Sequence, residues 1–340
     1  MVSGICKYLC LITHNRILGD REDDEIAILS YLFKRFINMR RVFLFIAFVC
    51  GIYMENHAAN ILFADPVIKV LCVAQWDTNG DGELSEEEAS AVVSLGTVFR
   101  QKTEINSFHE LRFFTGLKRI DDYAFYQSGL SEVTLPMSIN EIGKYAFSET
   151  ALGEKLIVPG NVKTIDEYAF YGCYNMKRVV LEEGVERVES YVFRGPLTSI
   201  SLPASLTYLG YQVVRVTGGT VNGNFVLPEG ILYVFAHSRI PASIHTNAFY
   251  ALFGDGMLIV PHGSKGDYKA KYSWNRFIGI YEYGDVNQDG VVNVSDAVAI
   301  VEYILGNKPK HFNVYIADVN GDGTINISDV IGIIDIILSD

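Results

Sequence analysis

Between residues 119 and 203 the apolar and polar positions follow one recurring order. "RIDDYAFYQSGLSEVTLP" at 119–136 is followed by "EIGKYAFSETALGEKLIVP" at 141–159, "TIDEYAFYGCYNMKRVVLE" at 164–182 and "RVESYVFRGPLTSISLP" at 187–203. Phe125, Phe147, Phe170 and Phe193 mark the period, and the interval between successive rings hardly varies. A fixed period of that size predicts stacked coils, each burying its apolar edge only against its neighbours. The strand in each unit alternates: Val133 and Leu135 face inward, Thr134 faces outward, and a proline ends the run. Ala124 and Phe125, with their equivalents, belong to the interior, where the small residue permits close approach and the ring fills the gap between coils. Weaker copies follow at "NFVLP", 224–228, and "NAFYALFGDGMLIVP", 247–261; the stretch 195–244 departs from the pattern and leaves the coil count open there.

The two ends change to helical periodicity. Asp65 as a cap and Pro66 in the first position predict a helix over "PVIKVLCVAQW", and "EEEASAVVSL" continues as a second helix after residue 85. Near the C-terminus Ala297, Ile300, Val301, Ile304 and Leu305 share one helical stripe, and Val330, Ile333, Ile334, Ile337 and Leu338 repeat it place for place further along. Those two stripes are the expected core of a small C-terminal unit. Val298, Tyr303, Ile331 and Ile336 fall outside them as exposed apolar groups; with Val294, Ser295, Ile327 and Ser328 they form a candidate partner-binding surface.

Each helical region includes a twelve-residue loop with oxygen-bearing side chains at alternate places and glycine at the sixth: "DTNGDGELSEEE" at 77–88, "DVNQDGVVNVSD" at 285–296 and "DVNGDGTINISD" at 318–329. Calcium takes six to eight oxygens in a flexible shell, and such a loop supplies them. The candidate ligands are Asp77, Asn79, Asp81, the Glu83 carbonyl, Ser85 and Glu88; Asp285, Asn287, Asp289, the Val291 carbonyl, Asn293 and Asp296; and Asp318, Asn320, Asp322, the Thr324 carbonyl, Asn326 and Asp329. The first loop sits between two helices, an EF-hand arrangement. The later two have an exiting helix but no good entering one, because "IYEYG" and "GNKPKHFNVYIA" precede them.

The I-x-x-x-A-F…L-x-x-V-x-L-P phrase resembles the BspA-like leucine-rich repeats of secreted and surface bacterial proteins, and "LIVPHGSKGDYKAKYSWNRFIGIYE" at 258–282 resembles the closing segment of that family. The doubled loop and helix over 285–338 resemble a type I dockerin, in which Asp at the twelfth place is usual. The resemblances imply an α/β-type repeat solenoid, right-handed, with short parallel strands, a small N-terminal EF-hand helical region, and a C-terminal all-α dockerin-like calcium module. The implied segments are 1–38 as a leader or mis-assigned start, 39–58 as a signal peptide, 59–104 as the EF-hand and cap, 105–283 as the repeats and 284–340 as the module. A dockerin implies a cohesin-type partner. Cohesin-binding dockerins often carry basic residues on the docking face, where this chain has Glu302 and Asp335.

Charge and the N-terminus narrow the function. A formal net charge of −12 over 340 residues excludes nucleic acid or an anionic membrane as the main partner, since both need clustered Lys and Arg. "MRRVFLFIAFVCGIYMENHAA" from Met39 has the basic start, short apolar run and small residues of a secretory signal peptide; a membrane helix would need about 20 apolar residues. Removing residues 1–58 takes away seven basic and six acidic residues, so the acid lies in the remainder. Cys50 is a weak candidate for a lipid anchor, with Val49 and Phe48 ahead of it where a small residue is normal. Beyond residue 58 only Cys72 and Cys173 remain, too few for a disulfide framework.

No H-E-x-x-H, G-x-S-x-G or Gly-rich phosphate loop is present, and the expectation is a binding protein rather than an enzyme. The outward strand positions Thr134, Ile157, Val180, Ser201, Val226 and Ile259 form a partly apolar row that could bind protein or glycan. Three readings remain open: a secreted binding protein attached through its dockerin-like pair, a structural surface protein whose pair clamps onto its own chain, and a carbohydrate-active enzyme component in polysaccharide catabolism.

Overall fold

The computed structural model describes residues 59–216, 219–221, 224–226, 232–250, 256–320 and 323–339. The leader, the apolar run after Met39, Cys50 and Asp322 lie outside the described residues.

The chain enters through helix α1 (Pro66–Trp76), whose first turn is fixed by Asp65. One Asp65 carboxylate oxygen accepts the Val67 and Ile68 N–H groups, and the other accepts the Asn106 N–H at 2.7 Å, so a single side chain caps the helix and ties it to the repeats. Helix α2 (Glu86–Ala91) starts on a capping box between Ser85 and Glu88. It is shorter than the sequence predicts: Val92 is already extended, and Leu95 leaves the helix to join the core of the stack.

The repeats form a parallel β-solenoid of about seven turns. Its coils carry short strands in three sheets rather than one strand each, and among the described residues of 98–260 the only helix is one 3-10 turn, His109–Phe113. The α/β-type expectation is therefore corrected to β: the Y-A-F segment forms a tight corner, and so short a coil with three corners has no length left for a helix. The narrow sheet joins two-residue strands from Arg119–Ile120 to Ser243–Ile244 in register. The broad sheet has six parallel strands, β1 (Lys155–Val158), β2 (Arg178–Leu181), β3 (Ser199–Leu202), β4 (Leu232–Ala236), β5 (Gly256–Val260) and β6 (Gly279–Glu282).

Two ring ladders run through the corners. Phe99, Phe125, Phe147, Phe170 and Phe193 stack face to face with centroids 5.1–5.7 Å apart, all essentially without solvent exposure. Tyr123, Tyr145, Tyr168 and Tyr191 stack outside them at 4.7–4.9 Å, each with a left-handed backbone at φ near 60°. That conformation is costly for a side chain larger than glycine; its recurrence shows that the coil needs the turn, and stacking offsets the strain. Backbone bonds follow the ladders, with Phe125 N–H donating to Ala146 O and Phe147 N–H to Ala169 O, both at 2.8 Å.

The irregular region 195–244 holds one coil interrupted by an antiparallel hairpin, Gly219–Val221 against Asn224–Val226, after which β4 rejoins the broad sheet beside β3. Helix α3 (Lys265–Ala270) then closes the stack: Tyr268 and Trp274 are fully buried and donate to the carbonyls of Ser238 and Ala242. The C-terminal module follows with α4 (Val294–Ile304), α5 (Val314–Ala317) and α6 (Ile327–Ser339). Its core is Val286, Val292, Ala297, Ala299, Ile300, Ala317, Val330 and Ile333. Each predicted stripe is partly misplaced: Val301, Ile304 and Leu305 of the first and Ile334 and Leu338 of the second are exposed, while Ala299 and, in part, Ile336 turn inward. Helix α5 also supplies the entering helix that the sequence did not promise for the third loop.

Replacing Phe170, held between Phe147 and Phe193, by alanine is expected to cost about 3–5 kcal/mol through the cavity it opens. Thermal melting of the variant against the parent measures this, with an unchanged melting temperature as the contrary result.

Candidate functional site

All three loops are built on one hydrogen-bond scheme. The first-place carboxylate accepts the sixth-place glycine N–H: Gly82 to Asp77 at 2.9 Å, Gly290 to Asp285 at 3.2 Å, Gly323 to Asp318 at 2.9 Å. The twelfth-place carboxylate accepts N–H groups from both ends of its loop. Glu88 takes Thr78, Asn79 and Ser85; Asp296 takes Asn287 and Asn293; Asp329 takes Val319, Asn320 and Asn326. Third- and fifth-place oxygens fold back on the chain, Asn79 on Asp81 N–H, Asp81 on Glu83 N–H, Asn287 on Asp289 N–H and Asp289 on Val291 N–H. In the third loop Asn326 accepts the Ser328 N–H and its amide donates to the Thr324 hydroxyl.

The electrostatics differ between loops. Burial opposes ionisation of Glu88, but hydrogen bonds from Ser85 and Thr78 outweigh it and hold the carboxyl down to about 2. Asp285 goes the other way: burial raises it, and the Asp296 and Asp289 charges add to the rise against the Gly290 N–H. Asp296 and Asp329 are wholly buried. Buried carboxylates at such spacing favour a cation, and the all-oxygen donor set suits hard calcium rather than a thiolate- or imidazole-seeking metal. Among the described residues no group of three or more Asp, Glu, His or Cys side chains is arranged to hold a metal ion. The two thiols are no substitute: Cys72 and Cys173 are buried, and burial pushes the Cys173 thiol up to about 11.

The outward row on the solenoid differs from its sequence reading at one end. Ile157, Val180, Ser201, Phe235 and Ile259 are in-register neighbours across β1 to β5. Thr134 is exposed just past an earlier strand, Glu132–Val133, and bonded to His109. Val226 belongs to the inserted hairpin rather than to the broad sheet, and its side chain lies outside the described residues; "NFVLP" mimics the strand-plus-proline ending, whereas the true strand is "LYVFA". Ile259 is outward-facing but fully buried, because Tyr283 and Ile316 of α5 cover it. Tyr233, Phe235 and His237 were thus missed as outward-facing residues, although the alternation of "LYVFAH" was the signal that marks them.

At this contact the module lies on the solenoid. Tyr315 stacks on Tyr233 with centroids 3.7 Å apart, and His237 stacks on Tyr283 at 5.4 Å while its Nε2 meets the Ser201 hydroxyl at 2.8 Å. Burial pushes the His237 imidazole down and the Tyr283 phenol well up, leaving both neutral. The predicted partner surface divides. Val294, Val298, Ile327 and Ile331 are exposed, as are Ser295 and Ser328, and Tyr303 is partly engaged by stacking on Phe312. Ile336 is half-buried against the module core and leaves the surface.

Residues 98–215 match the BspA type leucine rich repeat region, in six copies, and residues 283–338 match the dockerin type I domain. No curated protein matches the chain. Three solved structures are similar. The pneumococcal vaccine antigen PcpA shares 15% identity over 52% of this chain and 47% of that one, with a TM-score of 0.30. A leucine-rich repeat protein from Bacteroides ovatus shares 18% over 49% and 53%, with 0.26. A leucine rich cell surface protein from Faecalibacterium prausnitzii shares 17% over 58% and 67%, with 0.23. The chain spans about half the length of the first two.

Replacing Asp296 by alanine strips the shared acceptor from the Asn287 and Asn293 N–H groups inside a buried site. The expected outcome is faster amide exchange at both positions and a lower melting transition for the module; exchange unchanged at 287 and 293 would show that the bonds do not hold the loop. Loop, helix and repeat together define the composition of this protein: a BspA-type leucine-rich repeat region joined to a type I dockerin domain.

Proposed function

We propose that the chain is a secreted or cell-surface protein that presents a leucine-rich-repeat ligand surface and is attached to a cohesin-type protein partner through its dockerin, with calcium holding the dockerin loops and an N-terminal EF-hand at residues 77–88. The observation that carries this reading is a duplicated apolar stripe. Val294, Val298, Val301 and Leu305 on α4 fall at the same helical spacing as Ile327, Ile331, Ile334 and Leu338 on α6, and all eight are exposed. Apolar groups left open in a repeated geometry are costly in water and mark a surface meant for a partner. The module touches the solenoid through α5 instead, which leaves both stripes free for a second molecule. Helix–loop–helix geometry and the shared hydrogen-bond scheme support the EF-hand assignment at the first loop.

The α5 contact favours a second reading, in which the module is a purely structural clamp on its own chain and has no partner. The non-enzymatic character of the protein is part of the proposal, as is export by cleavage near Ala58 or Ala59. Among the described residues no helix is long and apolar enough to cross a membrane.

Replacing Val298 and Ile331 by aspartate should abolish capture of cohesin-type modules while leaving the circular dichroism spectrum intact. Capture that persists moves the docking site off the two stripes, whereas none by the parent protein favours the clamp. Chelation should reduce helicity and lower the melting transition of the module, and added calcium should restore both; a module equally folded in chelator would remove calcium from the proposal.

A further inference from the structure

The module covers only one end of the broad sheet's outer face. Helix α5 lies over β4 and β5, while the face of β1, β2 and β3 remains open, and the step between them is a cleft of about 570 Å³. Its floor is the strand face from Lys155 and Arg178 to Ser199 and Ser201, and its wall is Val314, Tyr315, Asp318 and the described residues 323–325. That volume suits a small ligand rather than a protein chain.

The cations of this cleft stand apart from those of the surrounding coils. Lys144, Lys163, Lys177, Arg119 and Arg187 each meet a carboxylate on their own or a neighbouring coil. Lys155 and Arg178 are in-register neighbours on β1 and β2, both line the cleft, and among the described residues neither side chain has a carboxylate partner. The acid in the wall, Asp318, accepts the Gly323 N–H of its own loop. In a chain with a net charge of −12, two adjacent uncompensated cations facing a concavity call for an anionic ligand. The guanidinium fork of Arg178 matches a carboxylate in particular.

The rest of the lining fixes the kind of acid. Phe235 and Tyr315 offer ring surface at the closed end, and Ser199 and Ser201 place hydroxyl groups on the floor. The floor of the cleft is made by β2 and β3, which are hydrogen-bonded on both sides; β1, which carries Lys155, is the edge strand of the sheet. Over that floor the groups on offer are side chains: two cations, hydroxyls and aromatic faces. We propose that this cleft binds a short saccharide bearing a carboxylate, the acid group held by Arg178 and Lys155 and a sugar ring lying against Tyr315 and Phe235. The assignment rests on the reading of the solenoid's outer face as a ligand surface and names its ligand class.

The test is isothermal titration of the full chain, in excess calcium, with trigalacturonate, its methyl ester and a triglutamate peptide. Trigalacturonate should bind saturably, the ester at least tenfold more weakly. Lys155→Gln with Arg178→Gln should lose the same factor without a change in melting temperature, since both side chains are exposed on strands whose cores they do not enter. Tyr315→Ala should weaken binding independently, and Val298→Asp with Ile331→Asp should leave it unchanged. Equal binding of acid and ester, tighter binding of the peptide, or full affinity in the double glutamine variant overturns the acidic-sugar assignment; if that binding still falls with Tyr315→Ala, the ligand surface stands. Binding of none of the three probes overturns the assignment and the ligand-surface reading together.

Discussion

Everything in this protein depends on one coil fitting on the next. A single coil cannot close a core of its own; its apolar edge is buried only when Phe125 meets Phe147, Phe147 meets Phe170, and each Phe N–H donates to the Ala carbonyl of the next coil. The stack therefore needs ends that are not coils. At the start, α1 and the Asp65 carboxylate tie the helical unit to Asn106; at the finish, Tyr268 and Trp274 seal the last coil. The module rests on the same logic one step further out, since α5 closes over Ile259, an apolar residue that the last coils leave facing water.

Much of this was legible in the chain. The phenylalanine period gave the stack, the three Asp/Asn/Gly loops gave the sites, and the Asp65–Pro66 pair gave the first helix boundary. What escaped was set by contacts remote in sequence. The face of an amphipathic helix is ambiguous when nearly every position is apolar, as in "VIGIIDIIL", and only packing against α4 decides that Ile333 is inside and Ile334 outside. A proline after an alternating triplet looked like a strand end at Val226, but hydrogen bonding to Thr220 and its neighbours makes that segment a hairpin. Ile259 followed the alternation rule faithfully; its burial comes from a helix far along the chain, in the next folding unit.

The tyrosine corners carry a different lesson. A left-handed backbone at Tyr123, Tyr145, Tyr168 and Tyr191 is a position where glycine or asparagine would be expected from local sterics. The sequence puts a large ring there four times, because that backbone aims the ring along the stack, where the next ring is waiting. Local preference is overruled by a partner one coil away, which is why a reading confined to neighbouring residues sees only an ordinary aromatic.

The ring spacing of 4.7–4.9 Å in that column coincides with the general separation of hydrogen-bonded strands, about 4.8 Å. Side chains and backbone thus share one pitch, and neither can stretch without breaking the other. The solenoid is for this reason a ruler with fixed graduations: gain or loss of one repeat unit would move the dockerin away from or toward the N-terminal helices by a single strand spacing, without reshaping either end. The distance between the two ends of the stack is then set by a whole number of repeats.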